Sequence, residues 1–136
     1  AISNWEQGAD PICNCCKCSC LFFEAYHVLK HDKSHDVSNY RVRVNEETCK
    51  ACGLCTQRCP MDALSLEKSP RATNKEGKVA KLEPDRCIGC GVCVYKCPTK
   101  SLILERREEI CHPPKDVRDW MGRWIDDQKA ATAQRK

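Results

Sequence analysis

The feature that most constrains this chain is an internal repeat. Sliding the sequence by 38 residues lays Cys49–Glu67 over Cys87–Glu105 with 9 of 19 positions identical. The shared residues are the four cysteines, Gly53/Gly91, Pro60/Pro98, Leu64/Leu102, Leu66/Leu104 and Glu67/Glu105. Duplication of one unit is the simplest account.

Both copies read Cys-x2-Cys-x2-Cys-x3-Cys-Pro: Cys49, Cys52, Cys55 and Cys59 before Pro60, then Cys87, Cys90, Cys93 and Cys97 before Pro98. Three thiolates spaced by two residues wrap three corners of an iron–sulfur cubane in one tight loop. Zinc favours separate Cys-x2-Cys knuckles closing a tetrahedron, and gives no reason for the third cysteine or the proline. Gly53 and Gly91 let the backbone pass close to the cluster sulfides without a Cβ in the way.

Each copy opens on a short alternating run, Arg41-Val42-Arg43-Val44 and Val79-Ala80-Lys81-Leu82, and closes on another, Ala63–Leu66 and Ser101–Leu104. These predict strands on either side of each cysteine loop, with a short helical turn after Cys52 and Cys90, and so two small antiparallel hairpins flanking the metal. The polar stretch 68–78, with Asn74 and Gly77, reads as a surface loop.

Residues 42–105 resemble the bacterial-type two-cluster [4Fe–4S] ferredoxins. The resemblance implies an α+β ferredoxin-like fold, βαββαβ with pseudo-twofold symmetry, and one-electron transfer at low potential. In two-cluster ferredoxins the fourth cysteine ligates the other cluster. Cluster I is thereby assigned Cys49, Cys52, Cys55 and Cys97, and cluster II is assigned Cys87, Cys90, Cys93 and Cys59. The sequence then divides into an N-terminal cysteine-rich extension with a short helix (1–41), a dicluster domain (42–105) and a tail (106–136).

Within the extension, Cys13, Cys15, Cys16, Cys18 and Cys20 pack five thiols into eight residues. The segment resembles the Cys-Asn-Cys-Cys element of a family of larger bacterial and archaeal [4Fe–4S] proteins, which also share the Ser38-Asn39-Tyr40 lead-in. With Pro113-Pro114 the resemblance extends over residues 12–114. It implies that the chain is the C-terminal part, or a split version, of a longer protein. The expectation is a third [4Fe–4S] cluster, with Cys111 a candidate last ligand. Zinc and a redox-active or unmetallated thiol cluster are the other readings.

His27, His31 and His35 recur every four residues on a helix beginning near Leu21. Charged neighbours make a solvated face or a frayed helix end, rather than a metal stripe, the expected reading, with Leu21, Phe22, Ala25 and Leu29 packing towards the clusters. In the tail, Val117, Trp120, Met121, Trp124 and Ile125 follow the spacing of an amphipathic helix starting at Asp116. Two tryptophans on one stripe either cover the chain's own surface or dock into a partner subunit.

Composition explains why metal is needed. Aromatic residues make up 6% of the 136 residues, and the mean hydropathy is −0.61, so apolar burial alone is thin for one domain with tails. Fourteen cysteines supply the missing cross-links. The formal charge of +4 counts them as neutral thiols. Eight ligating thiolates (about −8) and two oxidised cores (roughly +4) bring the sum near zero, which removes the basic balance a nucleic-acid partner would need. No run approaches the ~18 apolar residues of a membrane span, and residues 1–20 lack a secretory signal, so the expected compartment is the reducing cytosol.

The sequence shows no nucleotide loop and no Ser–His–Asp set, and whether the chain is itself an enzyme is left open. The expected function is electron transfer through two [4Fe–4S] clusters, with a third in the N-terminal segment, as a carrier or redox subunit of a partner oxidoreductase. The alternative is a binding protein in which the clusters are structural.

Overall fold

The computed structural model describes residues 2–6, 8–12, 16–31 and 38–133. Two compact units divide the chain, Cys16–Ile110 and Ala1–Cys15 with Cys111–Lys136.

The larger unit begins with helix α1 (Leu21–His27). There follow strand β3 (Tyr40–Val44), helix α2 (Leu54–Arg58), strands β4 (Leu64–Lys68) and β5 (Lys78–Leu82), a 3-10 turn (Pro84–Arg86), helix α3 (Val92–Tyr95) and strand β6 (Leu102–Arg106). The strands and helical turns fall where the alternating runs and cysteine loops placed them, giving a small mixed α/β unit compatible with a ferredoxin-like dicluster domain.

The four strands form two antiparallel pairs, each joining one copy to the other. β4 pairs with β5 across the copy boundary, and β3 pairs with β6, joining the first strand of copy one to the last of copy two. β4 and β5 are consecutive strands joined by the loop at 69–77, whereas β3 and β6 meet from opposite ends of the domain. Both pairings are antiparallel, with Val42 opposite Leu104 and Leu66 opposite Ala80. In β3 the valines face inward while Arg41 and Arg43 both reach Glu105 on the outer face, at 2.9 and 3.0 Å. Such exposed pairs contribute less than about 1 kcal/mol each.

The core is small and sulfur-rich. Val42, Met61, Ala63, Leu64, Val79, Ala80 and Leu102 share it with Cys49, Cys55, Cys87 and Cys93. Of these, Met61 and Val79 are the large side chains most fully enclosed, each 1% exposed.

Helix α1 is shorter than the histidine spacing and corrects the expected buried face. It ends at His27, with Lys30 in the left-handed region at φ 55, so His31 is not on it. His35 lies outside the described residues. Leu21, Phe22 and Leu29 are exposed, and Phe23 and Tyr26 are the residues that pack on the core. Polar tips on the inner face decide this: Tyr26 Oη accepts a hydrogen bond from Arg86 Nε at 2.9 Å, and His27 Nε2 lies 2.7 Å from the Pro60 carbonyl. His27 is therefore half-buried and engaged rather than solvated.

In the smaller unit, strands β1 (Ile2–Trp5) and β2 (Gly8–Ile12) form an antiparallel pair, and helix α4 spans Val117–Ala133. Asp116 caps α4, its Oδ1 accepting from the Asp119 amide at 2.9 Å. Trp120 and Trp124 are about half exposed, at 49% and 54%. Among the described residues no helix is long and apolar enough to cross a membrane.

Candidate metal centre

Two cavities, each about 320 Å³ including its open mouth, lie in the larger unit. One is lined by Cys49, Cys52, Cys55 and Cys97, with Ala80, Leu66 and Leu102. The other is lined by Cys87, Cys90, Cys93 and Cys59, with Met61, Leu64 and Val42. Each cavity thus takes three cysteines from one copy and the fourth from the other. The exchange follows from the topology, because the chain after each fourth cysteine enters a strand paired to the opposite copy.

Local backbone geometry aims the thiols. Gly53 and Gly91 sit at φ 74 and 72, immediately before α2 and α3, a left-handed turn that reverses the chain between the second and third cysteines. A Cβ at Gly53 would meet nothing closer than 3.9 Å, so the backbone angle, more than close approach, requires glycine there. Close approach instead governs Gly89, which the sequence reading did not single out. A Cβ there would lie 2.0 Å from the Tyr40 carbonyl oxygen and 2.2 Å from Ser38 Oγ. The Ser38-Asn39-Tyr40 lead-in therefore crosses directly over the Cys87–Cys90 loop.

Two side chains outside the cysteine loops hold them. Arg107 Nη2 donates to the Cys87 carbonyl at 2.9 Å, and its Nε to the Tyr40 carbonyl at 3.4 Å. Asn74 Nδ2 donates to the carbonyls of Cys49 and Lys78, both at 2.7 Å. Thr73 and Ser69 of the same loop bond the Glu47 carbonyl and the Glu46 carboxylate. The loop at 69–77 thus clamps the approach to Cys49. From sequence, Asn74 carried only a turn signal.

The electrostatics describe thiols that need a cation. Burial pushes Cys93 up to about 12, and the negative charge available at Cys90, Cys59 and Cys87 adds to it. Cys55 and Cys90 are raised by burial too, with neighbouring cysteines contributing. Cys59 acts on both Cys90 and Cys93, so it stands beside the second copy's thiols. Four thiolates crowded round one cavity are tolerable only with positive charge between them, and a thiolate-rich iron–sulfide core fits that donor set.

Cys97 runs the other way. Burial raises its pKa, but the neighbouring Ser101 and Thr99 hydroxyls and the Leu102 and Thr99 amides outweigh it and bring the thiol to about 7. Backbone amides reach other sulfurs, Ala63 to Cys59 at 3.2 Å and Ala80 to Cys49 at 3.5 Å. Cys52 and Cys90 are exposed, one at each cavity mouth.

The N-terminal set is only partly described. Cys13 and Cys15 lie outside the described residues. Cys16 and Cys18 are joined as a disulfide, so in this form neither offers a thiolate. Their Cα atoms are 5.4 Å apart, inside the usual disulfide range. Cys20 is buried at the start of α1. Lys17 anchors this segment through Asp62, with Nζ 2.9 Å from both carboxylate oxygens. Cys111, in the tail unit, is exposed, with its Sγ 3.9 Å from the His112 carbonyl.

Residues 48–101 match the family described as 4Fe-4S dicluster domain. No curated protein matches the chain.

Proposed function

From the premise that residues 48–101 belong to the 4Fe–4S dicluster ferredoxin-type family, we propose that this chain relays single electrons between partner proteins through two [4Fe–4S] clusters. Cys49, Cys52, Cys55 and Cys97 hold one and Cys87, Cys90, Cys93 and Cys59 the other, in a domain of pseudo-twofold symmetry. The observation that carries this reading is the sorting of the eight thiols into two cavities of four, each drawing on both copies.

When bound, such clusters supply one-electron redox chemistry whose potential depends on charge, hydrogen bonds to sulfur and exposure. The chain's own residues do the rest. Ala63 and Ala80 direct amide N–H groups at ligand sulfurs, stabilising the charge that reduction adds. Met61, Val42, Leu64 and Leu102 keep water from the protein side of the cavities. Cys52 and Cys90 leave one edge of each site at the surface, where a redox partner can approach. A partner oxidoreductase in the reducing cytosol is the setting this suits, with the half-exposed Trp120 and Trp124 of α4 a docking element for it.

Cys13, Cys15, Cys16, Cys18 and Cys20 in reduced form hold a third cluster on this reading, supported by their density and by the anchoring of the segment to Asp62. The Cys16–Cys18 disulfide favours a second reading, a metal-free, redox-active cysteine pair. Anaerobic protein titrated with dithionite and followed by electron paramagnetic resonance tests the main proposal. One electron taken up per cluster, and returned to an acceptor without iron loss, is expected. Clusters that resist reduction would leave only a structural role. Iron per chain decides the N-terminal question: about twelve, falling to about eight when Cys13, Cys16 and Cys20 become serine, supports a third cluster, whereas about eight in both supports the thiol pair.

A further inference from the structure

The two copies differ at one enclosed position beside their fourth cysteines. Ser101 is 3% exposed, the one buried polar residue among those described, and its counterpart one repeat earlier is Ala63, 2% exposed. Ser101 Oγ lies 3.2 Å from Cys97 Sγ, and Thr99 Oγ1 donates to Ser101 Oγ at 3.1 Å. Thr99 Oγ1 also lies 3.7 Å from Cys97 Sγ, but a hydroxyl carries one proton; given to Ser101 at the shorter 3.1 Å, it leaves the Ser101 proton for the sulfur. A ligating Cys97 has no proton to give, so the direction of the bond is fixed.

Copy one has no equivalent chain. Ala63 offers Cys59 a backbone amide at 3.2 Å, and Met61 stands where copy two has Thr99. The fourth ligand of one site thus receives a hydroxyl hydrogen bond from a water-shielded side chain, and the fourth ligand of the other does not. Reduction adds negative charge that spreads onto the sulfurs, and a donor aimed at a ligand sulfur favours the reduced state.

We propose that Ser101, oriented by Thr99, is a positioning residue that raises the reduction potential of the cluster held by Cys49, Cys52, Cys55 and Cys97, making the two clusters unequal electron acceptors. This rests on the dicluster reading above. The hydrogen bond acts through Cys97 and touches no reacting group, so its signature is a potential rather than the presence of a cluster.

The test is a reciprocal exchange in the whole chain, Ser101→Ala and Ala63→Ser, read by potentiometric titration with electron paramagnetic resonance and checked by iron content. Ser101→Ala should lower one redox wave about tenfold in its reduction equilibrium, ~59 mV for a one-electron couple, with iron unchanged. Ala63→Ser should raise the other wave. Should Ser101→Ala leave both waves in place at full iron content, or should both variants move the same wave, this inference is overturned while the dicluster reading stands. A wild-type chain without reducible clusters overturns both.

Discussion

Replacing Gly89 with alanine puts a methyl group where the structure has no room for one. The added Cβ would sit 2.0 Å from the Tyr40 carbonyl oxygen and 2.8 Å from its carbonyl carbon, at a φ of +68°. Neither neighbour is the free end of a side chain. Tyr40 is held in register opposite Arg106, and its carbonyl accepts from Arg107 Nε. The left-handed conformation alone costs alanine about 1–2 kcal/mol, and forcing atoms into packed space adds about 1–3 kcal/mol. The sum, about 2–5 kcal/mol, is a large part of the stability of a small domain. Gly77→Ala is the control, because φ there is +61° and nothing lies within 4 Å of its Cβ. It should show the conformational cost without the clash. Guanidinium denaturation of the anaerobic protein, with iron measured on each variant, separates the two. Gly89→Ala should unfold well below Gly77→Ala and lose about half of its repeat-bound iron, from the Cys87–Cys93 site. Equal midpoints and equal iron in the two variants would refute the crossing of the lead-in over that loop.

Asn74→Ala removes two bonds from a partly buried amide, to the carbonyls of Cys49 and Lys78. It should cost about 1–3 kcal/mol in chemical denaturation and speed iron loss from the Cys49 site under a chelator. Complete iron removal should unfold the larger unit, since Cys49, Cys55, Cys87 and Cys93 belong to its core; circular dichroism before and after chelation checks this. Asp62→Asn, which breaks the Lys17 pair between half-exposed side chains, should cost less than about 1 kcal/mol, and the loss should shrink in high salt.

The elements that sequence placed well are those whose signal is local. Alternating valines mark β3, and the cysteine spacing with its glycines marks the turns into α2 and α3. Two antiparallel pairs were legible, but not which strand β3 meets, because that depends on how two cysteine loops pack and not on any residue in β3. Helix α1 was read inside out: hydropathy favoured Leu21, Phe22 and Leu29, while the buried face is chosen by the hydrogen-bonding tips of Tyr26 and His27. Gly89 and Asn74 look in sequence like ordinary loop residues. Their roles come from chain segments far away, Tyr40 for the first and Cys49 for the second, and no spacing rule reaches that far. Ser101 was similarly unremarked, since a serine before a strand carries no local sign that it is buried against a sulfur.

Iron and acid-labile sulfide per chain, measured on anaerobic protein in which Cys13, Cys16 and Cys20 are serine, test the central claim without interference from the N-terminal segment. About eight of each, with negligible zinc, is the result expected of two [4Fe–4S] clusters on the eight repeat cysteines. Zinc in place of iron, or iron without matching sulfide, would contradict it.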